Sequence, residues 1–274
     1  MIPTHSSEKT SKRGITVNHL GQLNEYDFTE PHRHDYFEFF FFLSGGGTHY
    51  IDFIAFDIHP NSVHIVAPGQ VHQMKRELDS EGHVVLFELS AIAPPAPIEN
   101  FLFEHICLDA SELKPTFRLN SKLKNALNNR MREIYDCAQK GSDLDQLRLI
   151  NHMQLFCLNC MEHVGVRGTL IDSDYLNFRR ALKENFKDLK KVREYAELLN
   201  FTERALNNLA KAHSGKSASE IIYNQVIMEA KRLLRTGISV KGTAYALQFD
   251  DPGHFSKFFK NKTGSSPIDF KACT

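Results

Sequence analysis

No stretch of this 274-residue sequence approaches the roughly 18 uninterrupted apolar residues that a membrane-spanning helix needs. Its first residues, MIPTHSSEKTSKRG, contain no apolar segment of the kind that marks a secretory signal, so none is expected. Cysteine is sparse: five residues at irregular spacing do not make a disulfide framework and suit a reducing cytoplasm. Cys157-x-x-Cys160 has no second pair beside it and sits in a helical pattern. Buried core thiols are the simpler reading there than a redox couple. No GxSxG or HExxH segment occurs. Ser44-Gly45-Gly46-Gly47 lacks the lysine of a phosphate-binding loop and leads into another strand, so a hairpin is expected. The expectation is a cytoplasmic protein that is not an enzyme and does not enter a membrane.

What is present is ordinary globular composition, 42% apolar and 24% charged, in a chain long enough for about two domains. The formal net charge of zero hides a division. Residues 1–173 carry 15 Lys+Arg against 22 Asp+Glu, a balance of −7. Residues 174–274 carry 18 against 11, a balance of +7. Of the 14 histidines, 12 fall in the first part. A basic segment on an acidic body points to a polyanion partner for that segment, set against a chance split between two solvated surfaces.

Residues 1–14 are polar and read as a mobile arm. From Ile15 to Leu89, aromatic and β-branched runs alternate with turn signals: Phe37–Leu43, Thr48–Phe53, Ser62–Ala67, Val71–Lys75 and His83–Leu89. Short strands at this spacing predict a barrel or sandwich over 15–95. Phe37–Leu43 is apolar on both faces and belongs at the centre of a sheet. Pro94, Pro95 and Pro97 break the pattern. Two helical stripes follow in 96–163, Leu123/Leu127/Met131/Ile134 and Leu149/Met153/Phe156/Cys160. That pair suits packing on the barrel or on a second subunit. Residues 164–173 read as a linker.

From Tyr175 on, the pattern is helical and well punctuated. Ser217 with Glu220 forms a capping box opening a helix over 217–235, Gly215 and Gly264 stand at C-caps, and Asp251-Pro252 and Ser266-Pro267 open helices. A repeat is visible. Ala196, Leu199 and Phe201 recur 48 residues on as Ala244, Leu247 and Phe249; Leu206, Leu209, Lys211 and Gly215 recur 49 residues on as Phe255, Phe258, Lys260 and Gly264. Each unit reads as a helix with a small Ala, a tight turn, then a second helix.

Over residues 174–272 the chain resembles the AraC/XylS family of transcription regulators, most specifically in FDDPGHFSKFFKNKTGSSP and less strongly in VREYAELLNFTERALNNLAKAHSGKS. The resemblance implies two helix-turn-helix units presenting recognition helices to successive major grooves. The helices would run over about 202–212 and 252–261. Arg204, Asn207 and Asn208, then Gly253, His254, Ser256 and Lys257, would face bases. Lys211, Lys260 and Lys262 would meet phosphates, unless they are only solvated helix ends. Departures stand out: Gln248 replaces a glycine expected at positive φ, Thr243 replaces a core Ile, Gly242 lies inside a helix, and Asn208 and Ala210 replace a more usual Arg and Phe.

Pro31-His32-Arg33-His34-Asp35-Tyr36-Phe37-Glu38, with Gly45 beyond it, resembles a first cupin motif, and Pro68-Gly69-Gln70-Val71-His72 a shortened second one. In cupin metalloproteins such positions hold a divalent ion. Here those positions are His32, His34, Glu38 and His72, so if any metal binds, it binds to these four. The regulator resemblance instead implies an effector pocket lined by the same residues, with no metal and no cofactor. The expected fold is two-domain α+β: an N-terminal cupin-like β-barrel with a helical pair, and a C-terminal all-α double helix-turn-helix over 174–274. The expected function is a sequence-specific DNA-binding regulator controlled by a small-molecule effector in the barrel. The alternatives are a metal-dependent cupin enzyme with an appended DNA-binding domain, and a redox- or metal-responsive repressor. Expected partners are double-stranded DNA, the effector, a second copy through 96–163, and RNA polymerase.

Overall fold

The computed structural model describes residues 4–5, 14–20, 30–107, 115–140, 142–163 and 173–272. The chain forms two compact units, residues 2–169 and 170–274. The expected arm and linker lie almost wholly outside the described residues.

The first unit contains strands β1 (Thr4–His5), β2 (Ile15–His19), β3 (Arg33–His34), β4 (Phe37–Ser44), β5 (Gly47–Ile51), β6 (Ile54–Asp57), β7 (Ser62–Val66), β8 (His72–Arg76), β9 (Glu81–Phe87) and β10 (Thr116–Arg118). Its helices are α1 (Leu89–Ile92), α2 (Ala96–Cys107), α3 (Ser121–Gln139) and α4 (Asp143–His163). One sheet runs β10-β7-β4-β9-β2 and a second runs β6-β5-β8. All their pairings are antiparallel.

Strand parity sorts the core. On β4 the odd residues Phe37, Phe39 and Phe41 join the helix-side cluster with Leu127, Met131, Met153 and Phe156, where the Phe39 and Phe156 rings lie 5.7 Å apart. The even residues Phe40 and Phe42 join the other cluster with Ile51, Val66, Met74 and Leu86, between the two sheets. This is why an eight-residue strand is apolar on both faces: it is the middle strand, with helices on one side and a sheet on the other. Each fully buried Phe contributes about 1.5–3 kcal/mol from removal of its ring from water. The two helical stripes pack within this unit, since Leu123, Leu127, Met131, Ile134, Leu149, Met153, Phe156 and Cys160 are buried against the sheet.

Four expectations change. The glycine run does not close a hairpin, because β4 pairs with β7 and β9 whereas β5 pairs with β6 and β8. It carries the chain from one sheet to the other. At Gly47 (φ 118°) a Cβ would lie 2.2 Å from the Lys75 carbonyl oxygen, so only glycine fits. Thr48–Phe53 is not one strand: Asp52 and Phe53 take φ of 46° and 71° and turn the chain into β6. Within the expected arm, Thr4–His5 pairs in parallel with Arg33–His34 rather than standing free. Inside the expected helical region, β10 extends the larger sheet beside β7.

The second unit is all-helical: α5 (Ser173–Asn185), α6 (Val192–Leu198), α7 (Glu203–Ser214), α8 (Ala218–Arg235), α9 (Val240–Ala246), α10 (Pro252–Thr263) and α11 (Pro267–Ala272). The caps form as read. Ser217 Oγ accepts from Glu220 N while Glu220 Oε2 accepts from Ser217 N at 2.7 Å. Asp251 Oδ1 accepts from His254 N at 2.9 Å, with Pro252 at the first helical position. Gly215 (φ 72°) and Gly264 (φ 83°) close α7 and α10. The repeat is a repeat of contacts: Ala196, Leu206 and Ala210 are buried in one core, and Ala244, Phe255 and Phe259 occupy the matching places. Among the described residues no helix is long and apolar enough to cross a membrane.

Candidate functional site

In the helical unit, α6–α7 and α9–α10 are the two helix-turn-helix pairs. The turns are built alike. Phe201 N donates to Ala196 O at 2.7 Å and Phe249 N to Ala244 O at 2.9 Å. Between them Asn200 (φ 59°) and Gln248 (φ 54°) occupy the left-handed position that this hydrogen-bond pattern requires. The expected positive φ at 248 is therefore present, held by a residue with a Cβ, and Asn200 is its counterpart.

Of the residues expected to face DNA, Arg204, Asn208 and Lys211 on α7 and Gly253, His254, Lys257 and Lys260 on α10 are exposed. Ser256 is half-buried and its hydroxyl donates to Pro252 O at 2.8 Å. Asn207 differs. Its Nδ2 donates to Glu203 O at 3.0 Å and its Oδ1 accepts from Ala218 N at 3.1 Å. Both ends of the amide are engaged in joining α7 to the start of α8, so this side chain serves the fold. Thr243 is fully buried and its hydroxyl has no hydrogen-bond partner among the described residues.

In the sheet unit, His32, His34, Glu38 and His72 are all buried. The Pro68-Gly69-Gln70 turn delivers His72: Gln70 Nε2 donates to Asp52 Oδ2 at 3.0 Å, Val71 N to Asp52 Oδ1 at 3.2 Å, and Gly69 N to His34 O at 2.8 Å. His32 and His72 then form a two-way backbone bridge. Glu38 lies on the even face of β4, between the sheets.

Three of the four side chains converge. His34 Nε2 and His72 Nε2 stand 3.2 Å apart, and Glu38 Oε2 lies 3.2 Å from the first and 3.4 Å from the second. That oxygen is buried and makes no hydrogen bond of proper geometry. His34 Nδ1 donates to Tyr36 O at 2.7 Å, so its Nε2 points a lone pair into the triangle when the ring is neutral. His32 lies outside the set of mutually close donor atoms and packs its ring on His72, with centroids 4.1 Å apart.

Two further histidines join this group. His49 Nε2 stands 3.1 Å from His72 Nδ1, and His49 Nδ1 stands 3.2 Å from His64 Nδ1. Burial keeps both neutral: it holds the His49 imidazole well below its ordinary range and lowers His64 to about 3, with His64 adding to the effect on His49 and His59 to that on His64. The only sequence signal for them was parity: His49 alternates with the buried Ile51 on β5, and His64 with Ser62 and Val66 on β7.

The thiols of Cys157 and Cys160 are fully buried, and burial raises Cys157 to about 12 and Cys160 well above its usual value. They are inert core groups at neutral pH.

Residues 19–156 match the AraC-like ligand binding domain, and residues 195–272 match a helix-turn-helix domain. A curated relative, the uncharacterized HTH-type transcriptional regulator YfiF of Bacillus subtilis, is 24% identical over 267 residues, covering 93% of this chain and 83% of that protein. Among solved structures, ToxT from Vibrio cholerae in its P21 form is 13% identical with a TM-score of 0.45, covering 94% of this chain and 97% of that one. ToxT bound to (E)-4-(8-methylnaphthalen-1-yl)but-3-enoic acid is 12% identical with a TM-score of 0.42 over 94% and 97%.

Proposed function

This chain belongs to the AraC family of transcription regulators, with an N-terminal ligand-binding domain and a C-terminal helix-turn-helix domain, and from that premise we propose how it reads DNA and is controlled. The carrying observation is the pair of equivalent exposed helices, α7 and α10, each set by the same left-handed turn and each bearing cations. Arg204 and Asn208 on the first helix, and Gly253, His254, Ser256 and Lys257 on the second, meet base edges in successive major grooves. Lys211 and Lys260 meet phosphates. Asn207 leaves the reading set because its amide is engaged within the fold.

The effector site is the buried group His32, His34, Glu38 and His72, which sits between the two sheets of the ligand-binding domain. The protein works in the cytoplasm as a regulator and not as an enzyme, and RNA polymerase is its partner at promoters. It acts as a homodimer through α4. That helix buries one face in its own core, yet Leu144, Leu147, Leu155 and Leu158 stay exposed on another, with Asn151 among them at the 3-4-4-3 spacing of a helix–helix seam. An isologous pairing of this face would give two basic domains one shared DNA site.

The test is binding of the full chain to a pool of genomic duplex fragments across a salt series. Selective retention is expected, with log affinity falling linearly in log salt by about 0.9 per phosphate contacted. Absent or salt-indifferent binding would sink the DNA reading. Sedimentation of Leu147→Glu/Leu158→Glu against the parent tests the dimer, and an unchanged mass would reject this face.

A further inference from the structure

We propose that the ligand taken by the buried group is a divalent first-row transition-metal ion, held by His34 Nε2, His72 Nε2 and Glu38 Oε2, with His49 and His64 setting the protons of His72. This rests on reading the group as the effector site, and names what that site takes.

The first argument is size. Three donor atoms separated by 3.2, 3.2 and 3.4 Å leave no room among them for an organic molecule. Ligands at 2.0–2.1 Å from a tetrahedral ion stand about 3.3 Å from one another, so one ion caps this triangle without moving the side chains. Two imidazole nitrogens and a carboxylate oxygen on one face suit zinc or ferrous iron and leave further positions open. The ion would tie Glu38 on β4 of the larger sheet to His72 on β8 of the smaller one.

The second argument is protons. The His34 Nδ1 proton is committed to Tyr36 O, which leaves its Nε2 as an acceptor. The chain His72–His49–His64 then has two directions, and in both it ends at His64 Nε2, a buried atom with no hydrogen-bond partner among the described residues. In one, His72 Nδ1–H donates to His49 Nε2, and His49 Nδ1–H donates to His64 Nδ1. His72 Nε2 then presents a lone pair beside that of His34 and the carboxylate, an arrangement that repels itself unless a cation sits at its centre. In the other, every tautomer is reversed and His72 Nε2–H points into the triangle, which satisfies the empty site. Metal entry therefore reverses three tautomers on three strands, β8, β5 and β7, without changing the number of protons on the chain. An imidazole whose second nitrogen is fixed by a hydrogen bond is the usual support for a metal ligand. Here the His34 support is a backbone carbonyl and the His72 support is a histidine relay. His32, included by the sequence motif, is not a ligand.

The experiment uses the full chain stripped with a chelator. Zinc is added with calorimetric detection, cobalt(II) is added with visible absorption, and DNA retention is measured on the same preparation. One ion per chain is expected, with a cobalt spectrum lacking a thiolate charge-transfer band, and DNA affinity that changes when the ion is bound. Glu38→Gln should lose at least tenfold in zinc affinity. His49→Gln, which touches no ion, should lose about 10- to 100-fold through His72, while His32→Gln keeps the stoichiometry. Circular dichroism and a thermal transition on each variant separate lost ligation from lost fold, and His49→Gln carries the test if Glu38→Gln does not fold. A chain that retains DNA but takes up no ion overturns the metal site and leaves the DNA-binding regulator standing. Uptake unaffected by Glu38→Gln also overturns the site. Uptake that leaves DNA affinity unchanged overturns the ion's role as effector.

Discussion

Replacing Thr243 by Val should stabilise the DNA-binding unit. Thr243 sits in the middle of α9, the first helix of the second helix-turn-helix, and is fully buried. Its hydroxyl has no hydrogen-bond partner among the described residues, so folding strips that group of water without compensation. Such a loss costs about 1–3 kcal/mol in proteins. Valine keeps the branched shape, and its helix propensity is close to that of threonine, so the substitution removes the penalty and little else. A gain of about 1–2 kcal/mol is expected. For a unit of about 100 residues each kcal/mol raises the midpoint by about 4–8 °C. Differential scanning calorimetry of the full chain resolves this if the two units melt separately, and amide exchange of α9 and α10 gives the same free energy locally. Thr243→Ser, which keeps the hydroxyl and deletes the methyl, should lose about 1 kcal/mol. DNA affinity of the Val variant should stay near the parent's. A Val variant no more stable than the parent would refute the claim that this hydroxyl is an uncompensated buried group.

The other predictions bear on turn, interface and pH. Gln248→Gly should gain about 0.5–1 kcal/mol by relieving a side chain at φ 54°, and Asn200→Gly less, because Asn tolerates that region; urea midpoints that fall in both would refute the strain. Arg204→Ala should relax base preference at one position, and Lys260→Ala should weaken all sequences alike while lowering the salt slope by about 1. Asn207→Ala should cost about 1–2 kcal/mol of stability, because it strands the Ala218 N–H at the start of α8. Stability should also fall in mild acid. His64 holds a folded value of about 3 against 6.5 unfolded, so below pH 6.5 the unfolded chain takes a proton that the folded chain refuses. The stability this group contributes is complete above pH 6.5 and drains as pH falls toward 3, at about 1.4 kcal/mol per unit. His83, lowered to about 4 mainly by burial and next by His19, pushes the same way. Chemical denaturation at pH 7 and pH 5 checks this, and His64→Asn should flatten the difference.

The helical half was legible because its information is local. Capping boxes, Asp-Pro and Ser-Pro starts and C-cap glycines are spent within four residues of chain, and the 48-residue repeat brought Asn200 and Gln248 to the same left-handed turn. Even so, the sequence alone placed Asn207 among the reading residues. It took the 3.1 Å hydrogen bond to Ala218, eleven residues on, to show that the amide is already engaged.

In the sheet half, alternation predicted the strands, the central place of Phe37–Leu43 and the single face shared by His34 and Glu38. It did not decide which strands pair. A glycine run between two strands reads as a hairpin until the distant partners Lys75 and Arg76 are known to press on Gly47. The buried histidine group is of the same kind. The motif supplied four names, but only the closing of two sheets removed His32 from the set of close donor atoms and brought in His49 and His64. By itself the sequence determined what neighbours along the chain can settle: caps, turns, strand faces and a helical repeat. The tertiary structure alone decided what depends on contacts across 15 to 38 residues, because no local preference encodes which imidazole will meet which.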